Sequence, residues 1–172
     1  MSPTAALPAP ALTPAIADSF EDLYRCSRDD VFAYVAALLR DPIAAEDVTA
    51  LSFERAYRRR RGWDARRGTP RAWIFGIARN AALDELRRRK RGPELSEEPP
   101  GEVGPADDLV AGRVDVRAAL AALPPRERDV VALKFFADLG HAEIARVLGI
   151  SESNAGTLLH RALTKLRKAC HA

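Results

Sequence analysis

The sequence predicts an all-α fold of two small helical domains joined by an acidic flexible linker, the C-terminal one a helix-turn-helix. Three observations carry this. Apolar residues recur every three or four positions along most of the 172 residues, and no stretch alternates with the two-residue period of a strand. Charge is partitioned: residues 18–91 hold 17 basic and 12 acidic side chains, residues 92–112 hold 0 and 6, and residues 113–172 hold 10 and 6. The net charge of +3 therefore hides two basic lobes around an acidic strip. Finally, residues 138–168, DLGHAEIARVLGISESNAGTLLHRALTKLRK, have the composition of a helix, a tight glycine turn and a second helix.

Taken in order, residues 1–17 are interrupted by Pro3, Pro8, Pro10 and Pro14 and lack a basic start. They read as a disordered tail and support neither a signal peptide nor a membrane span. Asp18 to Arg40 is expected as one helix, or two broken near Ser27, with Phe20, Leu23, Val31, Val35, Leu38 and Leu39 as apolar contacts. Asp41-Pro42 punctuates it, and Pro42 suits the first position of a second helix reaching about Arg60. Gly62 to Thr69 reads as a loop, and Pro70 opens a third helix ending in the run RRRKRG at 87–92. Residues 92–108, rich in proline, glycine and acid, begin a linker that extends to 112. An Ala-rich helix over 109–122 and another starting at Leu123-Pro124-Pro125, carrying Val130, Val131, Leu133 and Phe136, then buttress the helix-turn-helix. Two helices alone bury too little apolar surface to fold.

Within the helix-turn-helix, Ala145 permits close helix approach, Gly149 suits a left-handed turn position, Ile150 plugs the corner and Ser151 caps the next helix. Ala155, Leu159, Ala162 and Leu166 form one buried stripe, leaving Ser153, Thr157, His160, Thr164 and Lys168 outward. That geometry delivers a helix to the DNA major groove. The basic lobes, supplied mostly by Arg, point to the same polyanionic partner through bidentate phosphate or guanine contacts. On the helix after Pro70, Phe75, Ala78, Ala82 and Leu86 line one side while Trp73, Asn80, Asp84 and Arg87 project from the other. A ring, an amide and a cation on one surface can stack an unpaired base, bond its edge and hold its phosphate. Two readings of Trp73 stand side by side, a stacking platform or core filling, and Trp63 beside Arg66 and Arg67 divides the same way.

Other classes are poorly served. Cys26 and Cys170 are too few and isolated for a disulfide framework or a zinc site, which places the chain most simply in a reducing cytosol. No Ser/His/Asp, Cys/His or phosphate-loop constellation stands out, and the motifs require no metal or small cofactor.

The segments AAEDVTALSFERAYRR (44–59), PRAWIFGIARNAALDELRRRKR (70–91) and LPPRERDVVALKFFADLGHAEIARVLGISESNAGTLLHRALTKLR (123–167) together resemble bacterial sigma factors of the extracytoplasmic-function group. The resemblance implies a non-catalytic, cytoplasmic subunit that binds core RNA polymerase and directs it to promoter DNA. It implies that the segment at 44–59 docks on the clamp of the large polymerase subunit, making Glu46, Asp47, Phe53 and Arg55 interface candidates. It gives Trp73, Asn80, Asp84 and Arg87 the task of opening the minus-ten element and holding an extruded base. The segment at 138–168 would read the minus-thirty-five element as duplex through Ser153, Asn154, Thr157, His160 and Arg161, with Asn154 suited to adenine and Arg161 to phosphate or guanine. The acidic linker would thread toward the RNA path. An anti-sigma factor is the further partner the group implies, and two lobes on a flexible strip would suit closure around it. The chain departs from the family pattern at Ala50-Leu51, where a Gln-Glu pair is frequent, and at Gly156 and Leu158, where a Lys and an Arg are common. Two other readings stand beside this one. A conventional regulator would use its N-terminal lobe to dimerise, and a partner-binding protein would have kept the fold alone.

Overall fold

A computed structural model describes residues 16–92 and 118–170, which form helices and connecting turns with no strand among them. Helix α1 runs Ile16–Leu39, α2 Pro42–Arg59 and α3 Pro70–Arg91, with two 3-10 turns, Arg60–Gly62 and Ala65–Arg67, in what the sequence suggests is a plain loop. The chain is helical again through 118–122 (α4), followed by α5 at Pro125–Phe135, α6 at His141–Leu148 and α7 at Glu152–Cys170. The expected tail over 1–15, almost all of the acidic linker and the first part of the Ala-rich helix lie outside the described residues.

The interruption expected in α1 near Ser27 lies instead at Ser19, whose φ of -129° and ψ of 23° leave the helical region, and the helix starts at Ile16, two residues inside the expected tail. The polar run around Ser27 does not break the helix. Ser27 is itself buried, and Arg25 pairs with Glu21 one turn back, so packing and a side-chain pair sustain the backbone there.

Helix starts follow local chemistry. Asp41 caps α2 by accepting from the N–H groups of Ile43 (3.0 Å) and Ala44 (3.1 Å), and Pro42 occupies the first turn. The bond from Ala44 is the main reason the Asp41 carboxyl sits below its ordinary range, with Arg89 at 2.8 Å adding to it. Thr69 caps α3 through the Ala72 N–H, again ahead of a proline. At the end of α4, Arg128 donates to the carbonyls of Leu120 (3.1 Å), Ala121 (2.6 Å) and Leu123 (2.9 Å), satisfying acceptors a helix C-terminus leaves open.

Val31, Val35, Leu39, Phe53, Phe75 and Ala78 form the interior of α1–α3, and Val130, Leu133, Ile144, Ala155, Leu159 and Ala162 that of α4–α7. These two groups of helices are not held apart. Helix α1 packs on α5 and α3 on α6, and Tyr34, wholly buried in α1 and edge-on to Phe75, donates to Asp129 of α5 at 2.7 Å.

Candidate nucleic-acid and polymerase interfaces

Gly149 adopts φ +67°, the left-handed turn that lets α6 stop and α7 start, while the Ile150 N–H closes the turn on the Ala145 carbonyl at 3.0 Å. The Ser151 hydroxyl accepts from the Asn154 N–H at 3.2 Å, as its capping position predicts. The rotation of α7 is fixed from the inside by Ala155, Leu159 and Ala162, and at its edge by Lys165, whose Nζ lies 2.7 Å from Glu127 Oε1 on α5. The result is an exposed face carrying Ser153, Asn154, Thr157, His160 and Arg161. Two side chains differ from the expected outward set in detail. Thr164 is half-buried and donates to the His160 carbonyl, and the Thr157 hydroxyl donates to the Ser153 carbonyl at 3.0 Å, so both are used within the helix in the free protein. Leu158 and Gly156 are half-buried: Leu158 packs against the core, and a Cβ at 156 would lie 4.0 Å from His141 Nδ1 on α6. The cations absent from these positions are absent from the flank of α7 that adjoins its neighbours.

On α3 the burial pattern leaves one solvent-facing stripe. Ala72, Ile74, Phe75, Ile77, Ala78, Ala81 and Ala82 are buried, whereas Asn80, Asp84 and Arg87 are exposed and Trp73 is half-buried. Trp73 therefore combines both readings: part of its ring packs on the core and part faces solvent. Trp73 and Asn80 border a cleft of about 360 Å³ whose other walls include Trp63, Arg67, Ile77 and, from α6, Arg146. Asp84 and Arg87 lie further along the helix, where Asp84 pairs with Arg87 at 3.3 Å. Neither Ile77 nor Arg146 carries a sequence signal for this cleft, because the first is one apolar residue among many and the second arrives only through packing between the two helical groups.

Glu46 and Asp47 are exposed on α2, and Glu46 faces Arg28 at 3.3 Å. Two of the four expected interface residues behave differently. Phe53 is 5 % exposed and turned inward, 4.9 Å from the ring of Tyr24, because its period coincides with Ala45, Val48, Thr49, Ser52 and Ala56 on the buried face. It is a core residue and drops out of the contact surface. Arg55 reaches Asp84 on α3 at 3.5 Å, which joins the expected polymerase face to the expected DNA face. The apolar side chains α2 does present are Ile43, 81 % exposed, with Leu51 and Tyr57, interleaved with Glu46, Asp47 and Glu54. Periodicity could have found Ile43: it stands out of phase with the buried stripe.

Among the described residues no group of His, Cys, Asp and Glu side chains is placed to hold a metal ion, and no helix is long and apolar enough to cross a membrane. The two cysteines are free and exposed.

The two helical groups correspond to recognised sequence families. Residues 23–92 match Sigma-70 region 2 and residues 113–166 match Sigma-70 region 4, in that order and over most of the chain. The chain belongs to the sigma-70 family, in its extracytoplasmic-function group. This sigma factor is 27 % identical over 154 residues to the ECF RNA polymerase sigma factor SigM of Bacillus subtilis, covering 87 % of this chain and 93 % of SigM. It is 29 % identical over 150 residues to the RNA polymerase sigma-E factor of Streptomyces antibioticus, covering 87 % and 83 %. In fold it resembles the sigma factor RpoE in complex with the anti-sigma factor NepR from Bartonella quintana, with a TM-score of 0.78 at 19 % identity over 90 % of this chain and 98 % of RpoE. It also resembles CnrH in complex with the cytosolic domain of CnrY, with a TM-score of 0.65 at 21 % identity over 88 % and 86 %.

Proposed function

We propose that this sigma factor works as a non-catalytic specificity subunit of core RNA polymerase in the cytoplasm, with its three faces divided by task. The observation that carries the reading is the stripe of half-buried Trp73 and exposed Asn80, Asp84 and Arg87 beside an aromatic-walled cleft, in the same chain as an exposed recognition helix. Extruding one base from a duplex costs a few kcal/mol, and stacking on an aromatic side chain returns about 1–3 kcal/mol per base. Trp63 and Trp73 supply the rings, Asn80 can bond a base edge, and Arg67 on the cleft wall and Arg87 further along α3 supply cations for a backbone phosphate. Ser153, Asn154, Thr157, His160 and Arg161 read duplex DNA; with its proton given to the Ser153 carbonyl, the exposed Thr157 hydroxyl can still accept a hydrogen bond. The surface of Ile43, Glu46, Asp47, Leu51 and Tyr57 on α2 is the polymerase face, an apolar patch rimmed by acid. Together the division of labour allows modest separate affinities to combine through one tethered chain.

An anti-sigma factor is the expected inhibitor, consistent with the partners of RpoE and CnrH in their solved complexes. Run-off transcription from a pool of genomic promoter fragments, with core polymerase and the purified chain, tests the whole reading. Transcripts beyond the core-only control should share two upstream elements. Asn80→Ala should reduce open-complex formation about tenfold, the worth of one or two lost hydrogen bonds, while core binding and helix content stay unchanged. Wild-type opening by that variant would remove Asn80 from the base pocket, and no binding to core would overturn the sigma-factor reading itself.

A further inference from the structure

The contact between the two helical groups combines an apolar core continuous across both with a buried polar cluster. At the heart of that cluster, Asp129 of α5 is 4 % exposed and places one carboxylate oxygen 2.7 Å from the Tyr34 hydroxyl of α1 and the other 2.7 Å from Arg79 Nε of α3. Both oxygens are thus satisfied from the other group of helices. Around this centre, Arg71 of α3 donates from Nη2 to Asp30 (2.6 Å) and to the Phe136 carbonyl (3.0 Å), and from Nε to the Ala137 carbonyl. At the far edge the Thr69 hydroxyl donates to Glu143 of α6 at 2.6 Å, and Glu143 also accepts from the Gly140 N–H.

Parting the two groups exposes the apolar surface they share, and Asp129, Arg79, Arg71 and Glu143 must each trade an ordered protein partner for water, so these polar contacts help to set the balance between closed and open forms. We propose that Asp129, gripped by Tyr34 and Arg79, is a latch that holds the free sigma factor closed without any inhibitor, and that promoter recognition requires it to release. The functional half of this inference rests on the sigma-factor reading above. Elements at minus ten and minus thirty-five are about 25 base pairs apart, roughly 85 Å at about 3.4 Å per pair. A compact body of this many ordered residues is only about 35–40 Å across. The closed form therefore cannot engage both elements, although the stripe on α3 and the outer face of α7 each remain exposed. Closure also brings Arg146 of α6 to the wall of the cleft that holds Trp73 and Asn80, so the minus-thirty-five module sits against the minus-ten pocket until the latch opens.

The chain carries its own reporters. Cys26 on α1 and Cys170 at the end of α7 are both exposed and lie on opposite sides of the seam. Spin labels on these two residues of the full-length protein, read by pulsed electron resonance without polymerase, give the distance between the groups directly. Wild type should show one short, narrow distribution. Asp129→Asn should broaden it and raise the open-to-closed ratio at least tenfold. The double variant Tyr34→Phe/Arg79→Gln removes the same contacts from the other side while keeping the Tyr34 ring against Phe75, and should do likewise. Circular dichroism confirms that each variant retains its helices, and the double variant decides the matter if Asp129→Asn disturbs α5. A broad distribution in wild type, or a narrow one in a folded latch variant, overturns the proposal. Adding core polymerase and promoter DNA should lengthen the wild-type distance. If the latch variants open but run-off transcription is absent even in wild type, the sigma-factor reading fails and the latch does not.

Discussion

Replacing Lys165 with methionine tests the packing that orients the recognition helix. Glu127 is 9 % exposed; its Oε1 is held by Lys165 Nζ at 2.7 Å and its Oε2 is buried with no hydrogen-bond partner. Loss of Lys165 would leave a nearly buried carboxylate with neither oxygen served. Breaking a fully buried ion pair from one side costs about 3–5 kcal/mol, whereas exposed pairs are worth roughly 1 kcal/mol or less. Lys165 is 51 % exposed, so water can follow the ammonium out, and the expected cost is about 2 kcal/mol. In a chain of this size that corresponds to a fall in Tm of roughly 4–8 °C. Urea unfolding followed at the helical band measures it, and a double-mutant cycle with Glu127→Gln isolates the pair, because removing the charge should restore about half of the loss. The same substitution should weaken duplex binding, since α7 loses the edge contact that supplements its apolar stripe in orienting it. A Lys165→Met protein within about 0.5 kcal/mol of wild type, or additive single variants, would mean that the pair does not anchor α7.

Two further outcomes rest on helix chemistry. Gly156→Ala should stabilise the protein by about 0.5–1 kcal/mol: the position is interior to α7, glycine is disfavoured there, and the added Cβ would meet His141 at 4.0 Å, an ordinary contact. A lower Tm for that variant in differential scanning calorimetry would show that α6 approaches α7 more closely than this spacing allows. Acid should unpick α3 at its C-terminal end. Hydrogen bonds from Arg88, supported by Arg89, hold the Glu85 carboxyl down at about 2 against an ordinary 4.5. A depressed carboxylate contributes stability that is complete above its unfolded value and declines as pH falls from about 4.5 toward 2. Arg88 is 75 % exposed, so solvent screening makes the pairs' contribution to stability small. The stability gap between wild type and Glu85→Gln should accordingly hold above about pH 4.5 and narrow as the pH falls from there toward about 2, and a constant gap would sink the assignment.

Much of the site can be read from the sequence because it depends on local rules. Asp41-Pro42 and Thr69-Pro70 mark helix starts by capping chemistry that acts within one turn, and Gly149 marks a left-handed turn through its missing side chain. The stripes on α3 and α7 follow from a 3.6-residue period, which sorts side chains into faces whatever the helix later packs against. Phe53 shows where a borrowed role fails. The family resemblance assigns it to a contact surface, but its own period puts it among Val48, Ser52 and Ala56, and burial follows the period. The kink at Ser19 instead of near Ser27 has a related origin, since polar residues inside a helix interrupt it only when packing does not compensate.

Chain-local chemistry thus accounts for whatever is set within a turn or along one helix: the all-helical class, the starts of α2 and α3, the glycine corner and the composition of each exposed face. Which faces meet is a matter of tertiary packing alone. That Arg55 joins Asp84, that Lys165 anchors the recognition helix to Glu127, and that Asp129 is clasped by Tyr34 and Arg79 are facts about residues 29, 38, 95 and 50 positions apart. No local propensity encodes such pairs. They arise when apolar stripes pack and carry polar side chains to the seam, where a buried charge must find a partner across the interface or remain in water.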